Sequence, residues 1–229
     1  MVRAHRSPMK YVLRTAIVLA ALVPLIVDAW AFENHLLGRD PYRRLIRETG
    51  IWSLWCLAAT LAMTPLRRIT GWQRLPTFRR TLGLLAFFYA TLHTIAYIVF
   101  DRVAALDVPQ QLLSWAGAIA LTASTIADVA DKPFLAIGLA AFVAMLPLAA
   151  TSSTAMIRRL GGVRWRRLHR LIYPIAIASL LHHWWPLPDR LRVDEYGLAI
   201  GTFLALRVVW STRHAWSPVH APVPGSPER

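Results

Sequence analysis

Two shortages narrow what this chain can be: it has few charged residues and almost no cysteine. Only 17% of its 229 residues are Asp, Glu, Lys or Arg, while 56% are hydrophobic and the mean hydropathy is +0.42. A soluble domain is normally about a quarter charged, so an ordinary soluble fold is excluded and the composition points to the membrane class. Acids are the scarcer sign, with 12 Asp and Glu against 26 Lys and Arg and a formal net charge of +14. In a soluble protein that excess would suggest nucleic acid. Here the arginines fall in short clusters between apolar runs, which is how membrane proteins fix their orientation, so no nucleic-acid partner is expected. Cys56 is the single cysteine and lies inside an apolar run. It excludes an intrachain disulfide and a cysteine-rich metal site, and it is expected to be a packing thiol. H-E-x-x-H, G-x-S-x-G, P-loop and dinucleotide patterns are also missing. No internal repeat and no second soluble domain is visible, and no bond-making catalytic residue is expected.

What is present is a series of apolar runs at 11–31, 51–63, 82–100, 134–150, 168–185 and 196–210, with a further Ala-, Ser- and Thr-rich segment at 112–130. The first run follows a basic N-terminus but is long for a signal peptide and lacks a small-x-small cleavage site, so it is expected to be a retained spanning helix. Positive charge sets the number of spans. With six spans and the N-terminus inside, the inner segments hold Arg3, Arg6, Arg14, Arg67, Arg68, Arg74, Arg79, Arg80, the arginines of 158–170, Arg207 and Arg213. The acids fall almost entirely in the outer segments, and Arg39, Arg43, Arg44 and Arg47 are the one basic group left outside. Making 112–130 a seventh span would carry the 158–170 arginines to the far side, against the positive-inside bias. The fold expected is therefore an all-α membrane protein. It is a six-transmembrane helical bundle with N- and C-termini cytoplasmic and an extra outer-face interfacial or re-entrant helix near 112–130. Residues 1–210 form the membrane domain and 211–229, rich in proline, a disordered cytoplasmic tail.

Histidine is costly inside a bilayer, and four of the eight histidines lie in these runs: His93, His169, His182 and His183. His93 comes 14 residues after Arg79 at the inner edge of its span, and His182 and His183 lie about as far along a span that also starts inside. The two helices thus place imidazoles at one depth, facing each other. Such a pair, among Phe87, Phe88, Tyr89, Tyr97, Trp184 and Trp185, suits the axial ligation of a b-type haem. A buried polar contact between helices and a proton relay are the alternatives. On an ideal helix His182 lies about 140° from the face of His169 and His183 about 40°. A straight helix therefore favours His183, and Pro174 in mid-span is expected to be able to change that phase.

His169 lies roughly 20 Å from the outer pair, on the inner side. No histidine faces it on the third span, where Arg79 and Arg80 stand instead. Either it is an interfacial histidine, or it joins Arg79, Arg80, Arg164, Arg166, Arg167 and Arg170 in a cofactor site. Arginine forks suit a flavin phosphate and stabilise a reduced, anionic flavin. Arginine clusters also anchor to anionic membrane lipid.

Several motifs occur in order: G-R-D-P (38–41), T-P-L (64–66), R-R-T-L-G-L (79–84), T-L-H (91–93), K-P-F-L-A-I-G (132–138), P-L-A-A-T-S (147–152) and R-R-L-G (158–161). W-R-R-L-H-R-L-I-Y (165–173) followed by His182 completes the set. Together, over roughly residues 10–210, the sequence resembles the MsrQ (YedZ) family of the ferric-reductase-like transmembrane superfamily. The resemblance implies a bacterial inner-membrane subunit with haem b and FMN. Such a subunit takes electrons from the quinone pool and passes them to MsrP, a periplasmic molybdenum-containing methionine sulfoxide reductase. It also implies that His93, His169 and His182 are the haem-associated histidines. His93 and His182 would be the metal ligands, with His183 the alternative and His169 a further candidate. The sequence departs from the family in a longer 112–130 segment and in having His183 where an aromatic residue is usual. Electrons are expected to pass from the inner arginines by His169 to the outer pair, and then to a partner docked on 186–194 and 104–131. The rival readings are a ferric reductase, a proton-relaying transporter and a structural anchor for a partner enzyme.

Overall fold

In lipid the backbone must satisfy its own hydrogen bonds, and long apolar runs without strand-like alternation do so as helices. The computed structural model describes residues 8–103, 115–186 and 194–215, and every regular element among them is helical. The α-helices in order are α1 (Pro8–Glu33), α2 (Pro41–Thr70), α3 (Arg79–Ala96), α4 (Trp115–Asp131), α5 (Pro133–Ala150), α6 (Thr154–Leu160), α7 (Gly162–Leu168), α8 (Ile172–Trp184) and α9 (Glu195–Ala215). A 3-10 turn at Leu75–Phe78 leads into α3, and a π-helical stretch at Tyr97–Val103 continues it. A second 3-10 turn at His169–Leu171 joins α7 to α8.

Helix ends follow from local chemistry. The Asp40 carboxylate accepts the Arg43 amide at 3.0 Å, and Pro41 opens α2 where a missing N–H costs nothing. Gly71 closes the same helix in the left-handed conformation (φ 71°), its amide donating to the Arg67 carbonyl. The result is 30 residues long, well beyond the apolar run at 51–63, because the basic flanks continue the helix on both sides. Pro174 is the third residue of α8, just after the 3-10 turn at His169–Leu171.

Among the described residues, four helical stretches are long and apolar enough to cross a membrane: Tyr11–Glu33, Pro41–Thr70, Leu75–Asp101 and Pro133–Ala150. The helix expected near 112–130 forms as α4, which packs on α5 and on the π-helical stretch. The 112–114 part of it lies outside the described residues. So do residues 104–114 and 187–193 of the expected docking segments and residues 216–229 of the expected tail.

α2 occupies the middle, packed along α3 and α9, while α5 packs along α8 and touches α3. Ala58, Ala86 and Ala176 are buried at the crossings, where a small side chain lets helix backbones approach. Leu57, Leu61, Tyr89, Ile175 and Ile200 fill the space around them, and Ser53 donates across to the Ala86 carbonyl at 3.0 Å. α1 lies outside this core, with Val12, Leu19, Val23, Ile26 and Trp30 exposed. It is tied on by Tyr89, whose hydroxyl donates to the Ala21 carbonyl, and by Arg14, which donates to the Thr77 carbonyl at 3.1 Å. The bundle has two unlike ends. Arg67, Arg79 and Arg207 belong to one, and Asp40, Asp128 and Asp194 to the other.

Candidate functional site

At the acid-bearing end, His93 of α3 and His182 of α8 face each other with ring centroids 5.9 Å apart and planes at 81°. Each ring is fixed from behind in the same way. His93 Nδ1 lies 2.7 Å from the Ile46 carbonyl of α2, and His182 Nδ1 lies 2.7 Å from the Phe134 carbonyl at the start of α5. A carbonyl only accepts, so in the neutral ring each Nδ1 carries the proton and each Nε2 keeps its lone pair. Both histidines are therefore poised as metal ligands through Nε2, with the second-sphere carbonyl that ligating histidines usually have. Imidazole nitrogens bind transition metals at about 2.0–2.1 Å, which places two ring centroids on either side of one ion about 6 Å apart. The observed spacing fits one metal between them.

One helical turn after each accepting carbonyl stands a glycine. A Cβ on Gly50 would lie 3.0 Å from His93 Nδ1, and a Cβ on Gly138 would lie 2.5 Å from His182 Nδ1. These glycines clear the floor on which the imidazoles rest. The sequence reading missed them, although Phe134 and Gly138 both lie within the K-P-F-L-A-I-G motif. The predicted aromatic wall is divided. Phe134 lies 5.9 Å from the His182 ring and Phe87 stacks on Phe142. Tyr89 belongs instead to the core, Tyr97 donates to Asp128, Trp184 lies over Gly197, and Phe88 and Trp185 are exposed.

His183 faces elsewhere. Its Nε2 donates to Asp194 Oδ2 at 2.8 Å, and its ring lies edge-on to Tyr196. The chain from His169 to His183 is not one regular α-helix, since a 3-10 turn at His169–Leu171 precedes α8, so an ideal-helix phase does not carry over. Asp194 also accepts the Gly197 amide at 2.9 Å, so it caps α9 and ties α8 to it. Burial pushes the Asp194 carboxyl up, but the Gly197 and His183 hydrogen bonds outweigh it and hold the group below its ordinary value. A depressed carboxyl stabilises the fold above its unfolded value of about 4, and that contribution is lost as pH falls through the lower folded value. Asp194→Ala is therefore expected to lower the thermal midpoint near neutral pH by about 2–4 °C, the effect of a lost cap of about 1 kcal/mol. The gap from wild type should shrink below pH about 4. A fluorescence melt at the two pH values measures it, and a gap that grows on acidification contradicts it.

At the other end His169 stacks on Trp165, with centroids 4.0 Å apart, and its Nδ1 lies 3.2 Å from the Trp165 carbonyl. Trp165 is itself held by its Nε1 donating to the Thr151 carbonyl at 3.0 Å. Arg80, Arg164, Arg166, Arg167 and Arg170 are exposed, and Arg79 alone of the expected arginine group is half-buried. The groups within electrostatic reach of Arg79 are Arg207, Tyr173 and Arg67. Arg207 donates to the Tyr173 hydroxyl and to the Thr64 hydroxyl, each at 3.1 Å. The available signal was Arg207 itself, a lone arginine inside the last apolar run. Among the described residues no three His, Cys, Asp or Glu side chains gather in a way that could hold a metal ion, so the His93–His182 pair is the arrangement that suits a metal already held by a macrocycle.

A helical membrane protein with a histidine pair between two helix pairs is the class that fold and site define. Residues 49–180 match the family described as "Ferric reductase like transmembrane component". The chain is 42% identical over 205 residues to a protein of Ralstonia nicotianae, covering 88% of this chain and 87% of that one. It is 38% identical over 215 residues to one of Herminiimonas arsenicoxydans, covering 92% and 91%, and 40% identical over 197 residues to one of Bordetella pertussis, covering 86% and 87%. Each of the three is named protein-methionine-sulfoxide reductase heme-binding subunit MsrQ. The chain belongs to the MsrQ family and is a multi-pass membrane protein. No solved structure matches it.

Proposed function

We propose that the chain is the haem-binding, electron-transferring membrane subunit of a methionine sulfoxide reductase system. The observation that carries this reading is the pair of facing imidazoles, His93 and His182, each with Nδ1 committed to a backbone carbonyl and Nε2 without a partner among the described residues. A b-type haem held there supplies a one-electron iron couple. The protein's own contribution is to bind and orient. The Ile46 and Phe134 carbonyls keep one proton on each Nδ1, and the apolar helices around the pair keep water from the rings. In this reading the bundle has six spans in the bacterial inner membrane, α8 and α9 being the last two, with both termini cytoplasmic. The arginine end then faces the cytoplasm and the histidine pair lies near the periplasm. Electrons come from quinones at the arginine end, where FMN is the further cofactor and Arg79, Arg80 and His169 are the candidate contacts. They leave to a periplasmic MsrP-like molybdoenzyme.

Protein purified after haem-replete expression is expected to show reducible Soret and α bands and to deliver electrons to the co-expressed periplasmic sulfoxide reductase. A colourless but folded preparation overturns the haem reading. A coloured one that fails to reduce that partner, yet reduces ferric chelates, moves the function to a ferric reductase.

A further inference from the structure

The arginine end holds a charge imbalance that the histidine pair does not explain. Arg67 and Arg207 lie within electrostatic reach of Arg79, so three guanidinium groups from α2, α3 and α9 converge. No Asp or Glu occurs in residues 1–27, 49–100, 132–188 or 196–227, which hold the segments of α1, α2, α3, α8 and α9 at this end. Among the described residues, Arg207 is held only by uncharged oxygens, the Tyr173 and Thr64 hydroxyls, with its guanidinium 5.6 Å from the Tyr173 ring centre. The Nε atoms of Arg79 and Arg207 are buried without a hydrogen-bond partner among the described residues. Like charges in a low-dielectric setting repel, and an unpartnered buried N–H loses its full hydration. An oxyanion placed among the three removes both costs, and guanidinium forks match the geometry of phosphate.

We propose that Arg67, Arg79 and Arg207, with Tyr173 and Thr64, form a binding site for a phosphate group, carried either by an anionic lipid headgroup or by a soluble phosphate ester. The site rests on the arginine cluster alone and stands or falls independently of the histidine pair. The test uses the full chain, delipidated in neutral detergent. Its thermal midpoint is followed against inorganic phosphate, with chloride at equal ionic strength as control, and separately against phosphatidylglycerol, with phosphatidylcholine as control. At least one of the two anionic probes is expected to raise the midpoint beyond its control. A response to inorganic phosphate assigns the soluble source, and a response to phosphatidylglycerol alone assigns the headgroup. Arg79→Gln and Arg207→Gln are each expected to weaken the response at least tenfold, while the exposed Arg159→Gln leaves it unchanged. Arg207→Lys keeps the charge and loses the fork, so it is expected to fold and to weaken the response at least threefold. The proposal is overturned if neither probe exceeds its control, or if Arg159→Gln weakens the response as much as Arg207→Gln.

Discussion

His182→Ala is expected to strip the purified protein of its haem, to less than a tenth of the wild-type content per chain, while the neighbouring His183→Ala keeps it. The two residues are adjacent in sequence and differ in what they face. His182 looks across 5.9 Å to His93 with its Nε2 lone pair uncommitted, whereas the Nε2 of His183 is engaged by Asp194 at 2.8 Å. Removing a second-sphere partner of a metal ligand typically costs 10–100-fold in affinity, and removing the ligand costs more. His93→Ala is expected to match His182→Ala. His183→Ala should act as Asp194→Ala does, through the tie between α8 and α9, lowering the thermal midpoint with little change in the Soret band. A pyridine haemochrome assay per mole of chain, beside a melt of each variant, separates these effects. Haem lost in His183→Ala and kept in His182→Ala would reverse the ligand assignment.

The contrast between these neighbours also marks where sequence reasoning stops. That His93 and the 182–183 pair share a level was legible, because each lies a similar number of residues from an inner arginine cluster and rise per residue is nearly constant in any helix. Which of the pair faces His93 was not legible, because rotation accumulates error that rise does not. One 3-10 turn at His169–Leu171 spoils a phase computed over thirteen residues. That turn lies just before Pro174, the residue read as able to change the phase, and includes Arg170, whose carbonyl a proline four residues on cannot bond. The arginine end failed differently. Its basic character was plain from composition, but the grouping of Arg207 with Thr64, 143 residues apart, depends on α2 and α9 packing together, which no local pattern encodes. The exposed arginines at 164–170 are close to His169 in sequence and drew the reading toward themselves.

The two ends thus meet the same problem, polar side chains among apolar helices, with opposite solutions. At the histidine end the Nδ1 atoms of His93 and His182 each meet a backbone carbonyl, so both rings are held in place before any ligand arrives. At the arginine end the guanidinium groups are charged and incompletely paired, so the end calls for a counter-anion. A membrane redox path needs both features. It requires rigid neutral ligands where reorganisation must be small, and positive charge where negative charge has to be attracted.

The rigidity of the histidine end predicts the second large effect, Gly138→Ala. The added Cβ would lie 2.5 Å from His182 Nδ1, 2.7 Å from Cε1 and 2.9 Å from Cγ, all in the ring that the Phe134 carbonyl holds at 2.7 Å. Neither side yields cheaply, since Gly138 belongs to the backbone of α5 and the ring is fixed between that backbone and His93. The imidazole must turn, losing its carbonyl bond and its aim. Overpacking of this kind costs about 1–3 kcal/mol. Alanine favours a helix over glycine by about 1 kcal/mol, so α5 itself gains and the damage concentrates on the ligand. The expected outcome is a folded protein with haem content reduced at least tenfold, or with a changed low-spin spectrum in whatever haem it retains. Gly50→Ala meets His93 Nδ1 at 3.0 Å and Cε1 at 3.1 Å, contacts that a shift of a few tenths of an ångström relieves, so its loss should be distinctly smaller. Haem content and electron paramagnetic resonance of the two variants measure the order. A Gly138→Ala protein with wild-type content and spectrum would show that the His182 ring does not depend on the gap beneath it.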